Sequence, residues 1–173
     1  MAGLMLLYVG AVLFLNGLWI LDRIQDREIA IINLFVGGLG LVVALSSALQ
    51  GFVQGQAESV LFGAQVLLFA FTYLWVAYNR FAGVDGRGLG WFCLFVALTA
   101  LPIAVSTLAN AGGRVWPIWL GINWAAWAVL WFMFFLLLAL QRPIKTATGV
   151  VTILQGVLTA WIPGYLLLTG VLR

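Results

Sequence analysis

The chain has 173 residues, of which 65% are hydrophobic and only 8% charged, and its mean hydropathy is +1.15. Soluble domains carry about 25% charged residues, so this composition excludes a soluble globular protein and describes an integral membrane protein with little mass outside the bilayer. The net charge of +3 comes from eight basic and five acidic residues scattered over short loops, which is no electrostatic footprint for nucleic acid.

Every charged residue falls at the margin of one of six apolar segments, and none lies inside one. The charge-free stretches of about 19–27 residues are long enough for helices to cross a hydrocarbon core ~30 Å thick. Backbone groups in lipid must pair internally, and length rather than periodicity separates these helices from buried strands. An all-α fold is therefore expected, with one six-helix transmembrane domain over residues 1–173. The N-terminus has no basic region or small-residue cleavage site, so the chain from Met1 reads as a mature first helix.

Helix one, Gly3–Leu21, offers Leu6, Leu13 and Asn16 with Gly10 and Gly17 beside them. Helix two, Ile29–Leu49, carries Asn33 and the small residues Gly37, Gly38 and Gly40, which suit close helix packing. A loop of about ten residues, Gln50–Ser59, leads to helix three, Val60–Tyr78, where Gln65, Phe69, Tyr73 and Val76 share a face. Helix four, Leu89–Leu108, contains the lone Cys93, which has no partner for an intramolecular disulfide, and Pro102. Helix five, Trp116–Leu140, places Trp124, Trp127, Trp131, Phe134 and Leu138 at spacings of three and four, an aromatic column along one face. Helix six, Ala147–Val171, offers Gln155, Thr159 and Pro163.

Trp19, Trp91, Trp116 and Trp119 sit near helix ends and read as interfacial belt residues. Trp127 and Trp131 lie mid-helix, where an indole N–H must find a partner or face a polar lumen. Pore lining is the reading favoured for them, with packing as the alternative. Asn16, Asn33, Asn123 and Gln155 are candidates either for a solute path or for interhelical hydrogen bonding. Pro163 leaves a carbonyl unpaired one turn earlier, open to Thr159 or to a solute.

Loops one, three and five carry Arg23, Arg27, Arg80, Arg87, Arg142 and Lys145, whereas the even loops carry only Arg114 and the C-terminus Arg173. The positive-inside bias puts the odd loops in the cytoplasm and both termini outside. Centres of alternate helices repeat every ~57–61 residues, and Leu98–Pro102 echoes Leu158–Pro163, which suggests three parallel helical hairpins around an axis along the membrane normal.

The chain has no histidine, so imidazole metal or haem sites, a Ser-His-Asp triad and an imidazole pH switch are excluded. No Asp, Glu, Lys or Arg lies within a span, where ion-coupled carriers usually keep one. No cofactor or metal is expected, and an enzyme is disfavoured. A passive channel remains, beside a gradient-coupled transporter or a non-conducting structural subunit.

Leu6-Leu7-Tyr8-Val9-Gly10 with Asn16-Gly17, and Asn33 to Leu39, resemble the family of bacterial urea channels and amide transporters. So do Phe71-Thr72-Tyr73-Leu74 followed by Asn79, Trp127 to Trp131, and Gly156 to Pro163. The resemblance implies a pore in each protomer, a homo-hexamer around central lipid, and passive conduction of urea or short aliphatic amides across the bacterial inner membrane. It also implies a constriction of Leu6, Leu13, Phe69, Tyr73, Trp127 and Trp131, with Gln155 at the cytoplasmic-side polar position. Acid-gated members have a long first external loop, external histidines and a glutamate before the glycine equivalent to Gly156. This chain has none of these, which favours the ungated amide-transporter branch. The expected mechanism is a flat slot between Trp127, Trp131 and Tyr73 in which the planar solute stacks. There, indole N–H groups, the tyrosine hydroxyl and backbone carbonyls replace its water, while ions find no compensating charge.

Overall fold

The computed structural model describes residues 1–172, and among these every regular element is helical. Arg173, counted above with the outer side, lies outside the described residues. Six helices are long and apolar enough to cross a membrane: α1 Ala2–Ile20, α2 Asp26–Gln54, α3 Ala57–Ala82, α4 Arg87–Ala109, α5 Val115–Ala139 and α6 Lys145–Leu168. The expected spans agree closely except at the second loop. There α2 and α3 continue until only residues 55–56 remain between them. The glutamines of this stretch do not end a helix, whereas Gly55 does, by adopting φ +67° and donating its N–H to Gly51 O.

The helices follow one another around a ring in chain order, and α6 packs on α1 to close it. The packing is uneven. The tight antiparallel pairs are α2 with α3, α4 with α5, and α6 with α1, while the junctions between pairs are sparse. Glycines explain the choice, because lipid supplies little hydrophobic drive and close backbone approach must hold such pairs. A Cβ on Gly63 would lie 2.6 Å from Ala44 O, on Gly90 2.5 Å from Ala139 N, and on Gly10 2.5 Å from Trp161 N. One such contact stands in each tight pair. The three-hairpin expectation is therefore met with a phase shift, since the third hairpin joins the two ends of the chain.

Two polar clamps cross the seams. Asn16 and Asn33 exchange hydrogen bonds, Asn16 Nδ2 to Asn33 Oδ1 at 3.1 Å and Asn33 Nδ2 to Asn16 Oδ1 at 2.6 Å. They tie α1 to α2, and in membrane proteins such bonds contribute about 0.6 kcal/mol each. On the basic-loop side, Lys145 bonds Asp22 at 2.6 Å and Arg80 bonds Asp26 at 3.3 Å, joining loop one to α6 and the start of α2 to α3. Helices α5 and α6 each contain a π-helical stretch, Phe135–Ala139 and Gly156–Trp161, which the apolar sequence gives no means of seeing.

Candidate solute pathway

Two cavities enter the ring from opposite ends. The larger, about 480 Å³, opens among Asp22, Asp26, Asp85 and Lys145 on the basic-loop side and runs inward past Asn16, Tyr73 and Cys93 to Trp131. The smaller, about 290 Å³, opens near Ala2 and Trp116 and runs inward past Leu6 and Gln65 to Trp124. Phe69 and Trp127 belong to both walls. These two side chains are the partition between the cavities.

The aromatic column on α5 owes this place to its 3.6-residue period. Trp124 faces the smaller cavity, Trp127 the partition, and Trp131, Phe134 and Leu138 the larger one. The α3 face descends beside it in the same order, Gln65, then Phe69, then Tyr73 and Val76. On α1, Leu6 lies in the smaller cavity, and Leu13 and Asn16 lie in the larger. Seven of the eight candidate residues are thus brought to one path.

Gln155 is placed elsewhere. It lines neither cavity, and its Nε2 donates to Ala126 O at 2.9 Å, fastening α6 to α5. Trp19 and Trp116, expected in the interfacial belt, turn inward to the two mouths. Trp19 does so because its Nε1 donates to Asp26 at 2.6 Å and Arg80 lies 5.2 Å above its ring, partners a lipid interface does not supply.

At the partition the rings touch instead of leaving a flat slot. Phe69 stands 4.9 Å from Trp127 at 85° and 4.7 Å from Trp131 at 61° between ring planes. This edge-to-face packing is what aromatic quadrupoles favour. Trp127 also differs from expectation in its N–H, which donates to Thr159 Oγ1 at 2.8 Å and is spent within the protein. Thr159 in turn donates to Gln155 O at 2.6 Å. The Thr159 carbonyl, whose usual donor is lost at Pro163, accepts Asn123 Nδ2 at 2.8 Å. Thr159, Asn123 and the π-helical stretch thus form a polar brace behind Trp127. The Tyr73 hydroxyl and the Trp131 N–H bond to nothing among the described residues, and both side chains line the larger cavity. Both are donors without a partner at that wall.

Several wall residues escaped the sequence reading. Leu89 and Cys93 bring α4 to the larger cavity, and Asn79 and Arg80 bring the end of α3. Cys93 carried no legible signal in a uniformly apolar run. Asn79 stood next to a charged loop, where a polar residue needs no explanation.

A ring of membrane-spanning helices with two opposed cavities and an uncharged aromatic partition defines a membrane channel or transporter. Residues 1–171 match the AmiS/UreI family of transporters, and the chain belongs to that family. It is 44% identical over 172 residues to a Mycolicibacterium smegmatis protein that bears the name of an amidate-substrate transporter, covering 98% of this chain and 78% of that one. It is 38% identical over 189 residues to the acid-activated urea channel of Helicobacter pylori, covering 96% and 97% respectively. The crystal structure of the urea channel from Helicobacter pylori superposes with a TM-score of 0.89 at 37% identity over the whole of both chains. Its cryoEM structure in a closed state gives 0.88 over 98% of each.

Proposed function

We propose that this protein is a passive channel for urea or short-chain aliphatic amides. The observation that carries the reading is the partition. Two cavities meet at Phe69 and Trp127, with the unpaired Tyr73 hydroxyl and Trp131 N–H on one side and no charge on the partition itself. A planar neutral solute exchanges its water for these donors and for ring faces. An ion loses much more hydration there and gains no counter-charge. Because the rings are in contact, passage requires Phe69 to swing away from Trp127, which its own bond to Thr159 holds in place.

The names of the two relatives support amides and urea as the solute class. The higher identity to the amidate-transporter relative, 44% against 38%, favours amides. The basic loops favour a cytoplasmic larger cavity with both termini outside, in the bacterial inner membrane. Assembly as a homo-hexamer around lipid is part of the same reading, as is a lack of histidine-based acid gating and of enzymatic activity.

Stopped-flow light scattering on proteoliposomes tests the proposal. Urea and acetamide permeability should exceed that of empty vesicles and be indifferent to imposed proton or sodium gradients. Uphill accumulation under either gradient would replace the channel by a coupled transporter. Permeability no higher than in empty vesicles would leave only a structural role.

A further inference from the structure

We propose that Asn79 is a solute-binding station in the larger cavity, recognising a primary amide or urea through a reciprocal pair of hydrogen bonds. Its side chain is only 2% exposed, yet its Nδ2 is enclosed with no hydrogen-bond partner, and nothing among the described residues donates to its Oδ1. The other buried asparagines behave differently. Asn16 and Asn33 bond each other, and Asn123 bonds Thr159 O. Of the buried asparagines among the described residues, Asn79 is the one whose carboxamide is unused, and it stands at a cavity wall.

The setting holds it there. Asn79 O accepts the N–H groups of Gly83 and of Val84, the latter at 3.2 Å, so the backbone is anchored in the turn that ends α3. Opposite stands Gly86 at φ +81°, where an added Cβ would lie 3.4 Å from Asn79 Nδ2 and 3.8 Å from Leu138. A side chain at that position would press on the amide and hinder its turning. Of the neighbouring charges, Asp85 pairs with Arg87, and Arg80 reaches Asp26 and Val84 O through its terminal nitrogens while its Nε, like Asn79 Nδ2, is buried without a partner. Asn79 lies six positions beyond Tyr73, about 9 Å along the helix axis, and both line the larger cavity, so the two groups serve successive positions of one solute.

A buried polar group without a partner is unfavourable, and a solute carboxamide corrects both halves at once. A solute N–H donates to Asn79 Oδ1, and Nδ2, enclosed in this conformation, donates to the solute carbonyl once the carboxamide turns toward the cavity. Urea and primary amides have the adjacent carbonyl and N–H that this pairing needs, and glycerol lacks both. The station rests on the amide-channel reading, whose solute it specifies.

Asparagine-selective ¹⁵N labelling of the protein in nanodiscs, with the Asn79 signal identified by its loss in Asn79→Asp, reads the station directly. Acetamide and urea should shift that side-chain resonance saturably, and glycerol should not. In proteoliposomes, Asn79→Leu should raise the half-saturating concentration for both amides by roughly threefold to tenfold, the worth of a hydrogen bond, with glycerol permeability unchanged. No shift with either amide, or an equal change for glycerol and acetamide in Asn79→Leu, overturns the station. Wild-type amide flux without a shift leaves the channel and removes the station, whereas a saturable shift without flux does the reverse.

Discussion

Trp127 shows how a residue's chemistry changes once its neighbour is known. Its indole is part of the partition, but its N–H belongs to Thr159 at 2.8 Å, so what it presents to the cavities is a ring face held in a fixed orientation. Thr159→Val keeps the shape and strands that N–H, a cost of about 1–3 kcal/mol for a buried donor. A severalfold fall in acetamide permeability is expected, with a shifted tryptophan emission. Unchanged flux and emission together would show that the brace does not position the ring. Trp131→Ala removes a ring that packs 4.7 Å from Phe69. It should let glycerol and larger amides through relative to acetamide, and stopped-flow permeability ratios measure this. The mid-helix tryptophans were legible as pore candidates from burial of an N–H alone. Which N–H stays free was not, because Thr159 lies 32 positions away in sequence.

The helices were readable almost to their ends because hydropathy and charge are local properties. Their pairing was not. A glycine in an apolar run announces close packing without saying against what, and the identity of the partner needs the three-dimensional ring. Gly90→Val places its side chain within 2.5 Å of the Ala139 backbone nitrogen, while a Cβ on Gly38 has no atom of the protomer within 4 Å. Gly90→Val should therefore separate α4 from α5 and lower the unfolding temperature in detergent markedly, whereas Gly38→Ala should leave it unchanged or slightly higher, as alanine is the better helix former. Equal behaviour of the two variants would show that backbone approach does not hold the pair. The two π-helical stretches belong to this scale too. That in α6 includes Thr159, whose carbonyl and hydroxyl both serve the brace.

The whole molecule is a ring closed by its own ends, with charges confined to the rims. No imidazole titrates between pH 5 and 8 in a chain without histidine. Amide permeability is accordingly expected to show no sharp transition over that range, and flux at matched internal and external pH tests it. A steep acid activation would assign gating to the rim carboxylates Asp22, Asp26 and Asp85, which line the larger mouth. The rim pairs Lys145–Asp22 and Arg80–Asp26 involve exposed carboxylates, so each contributes little to stability on its own. Their effect is to join loop one to α6, and α2 to α3, around that mouth.

Sequence by itself determined the number of spans, the faces bearing Trp124, Trp127 and Trp131 on α5 and Phe69 and Tyr73 on α3, and the neutrality of everything between the rims. Each follows from composition and helical period, which act over a few turns. Tertiary structure decided that α6 closes on α1, that Gln155 and Thr159 brace the path from behind, that Phe69 seals it edge-on, and that Asn79 is left with an unpaired amide beside a cavity. These depend on which surfaces meet, and hydrogen-bond partners and ring contacts are set by groups brought together from helices far apart in the chain.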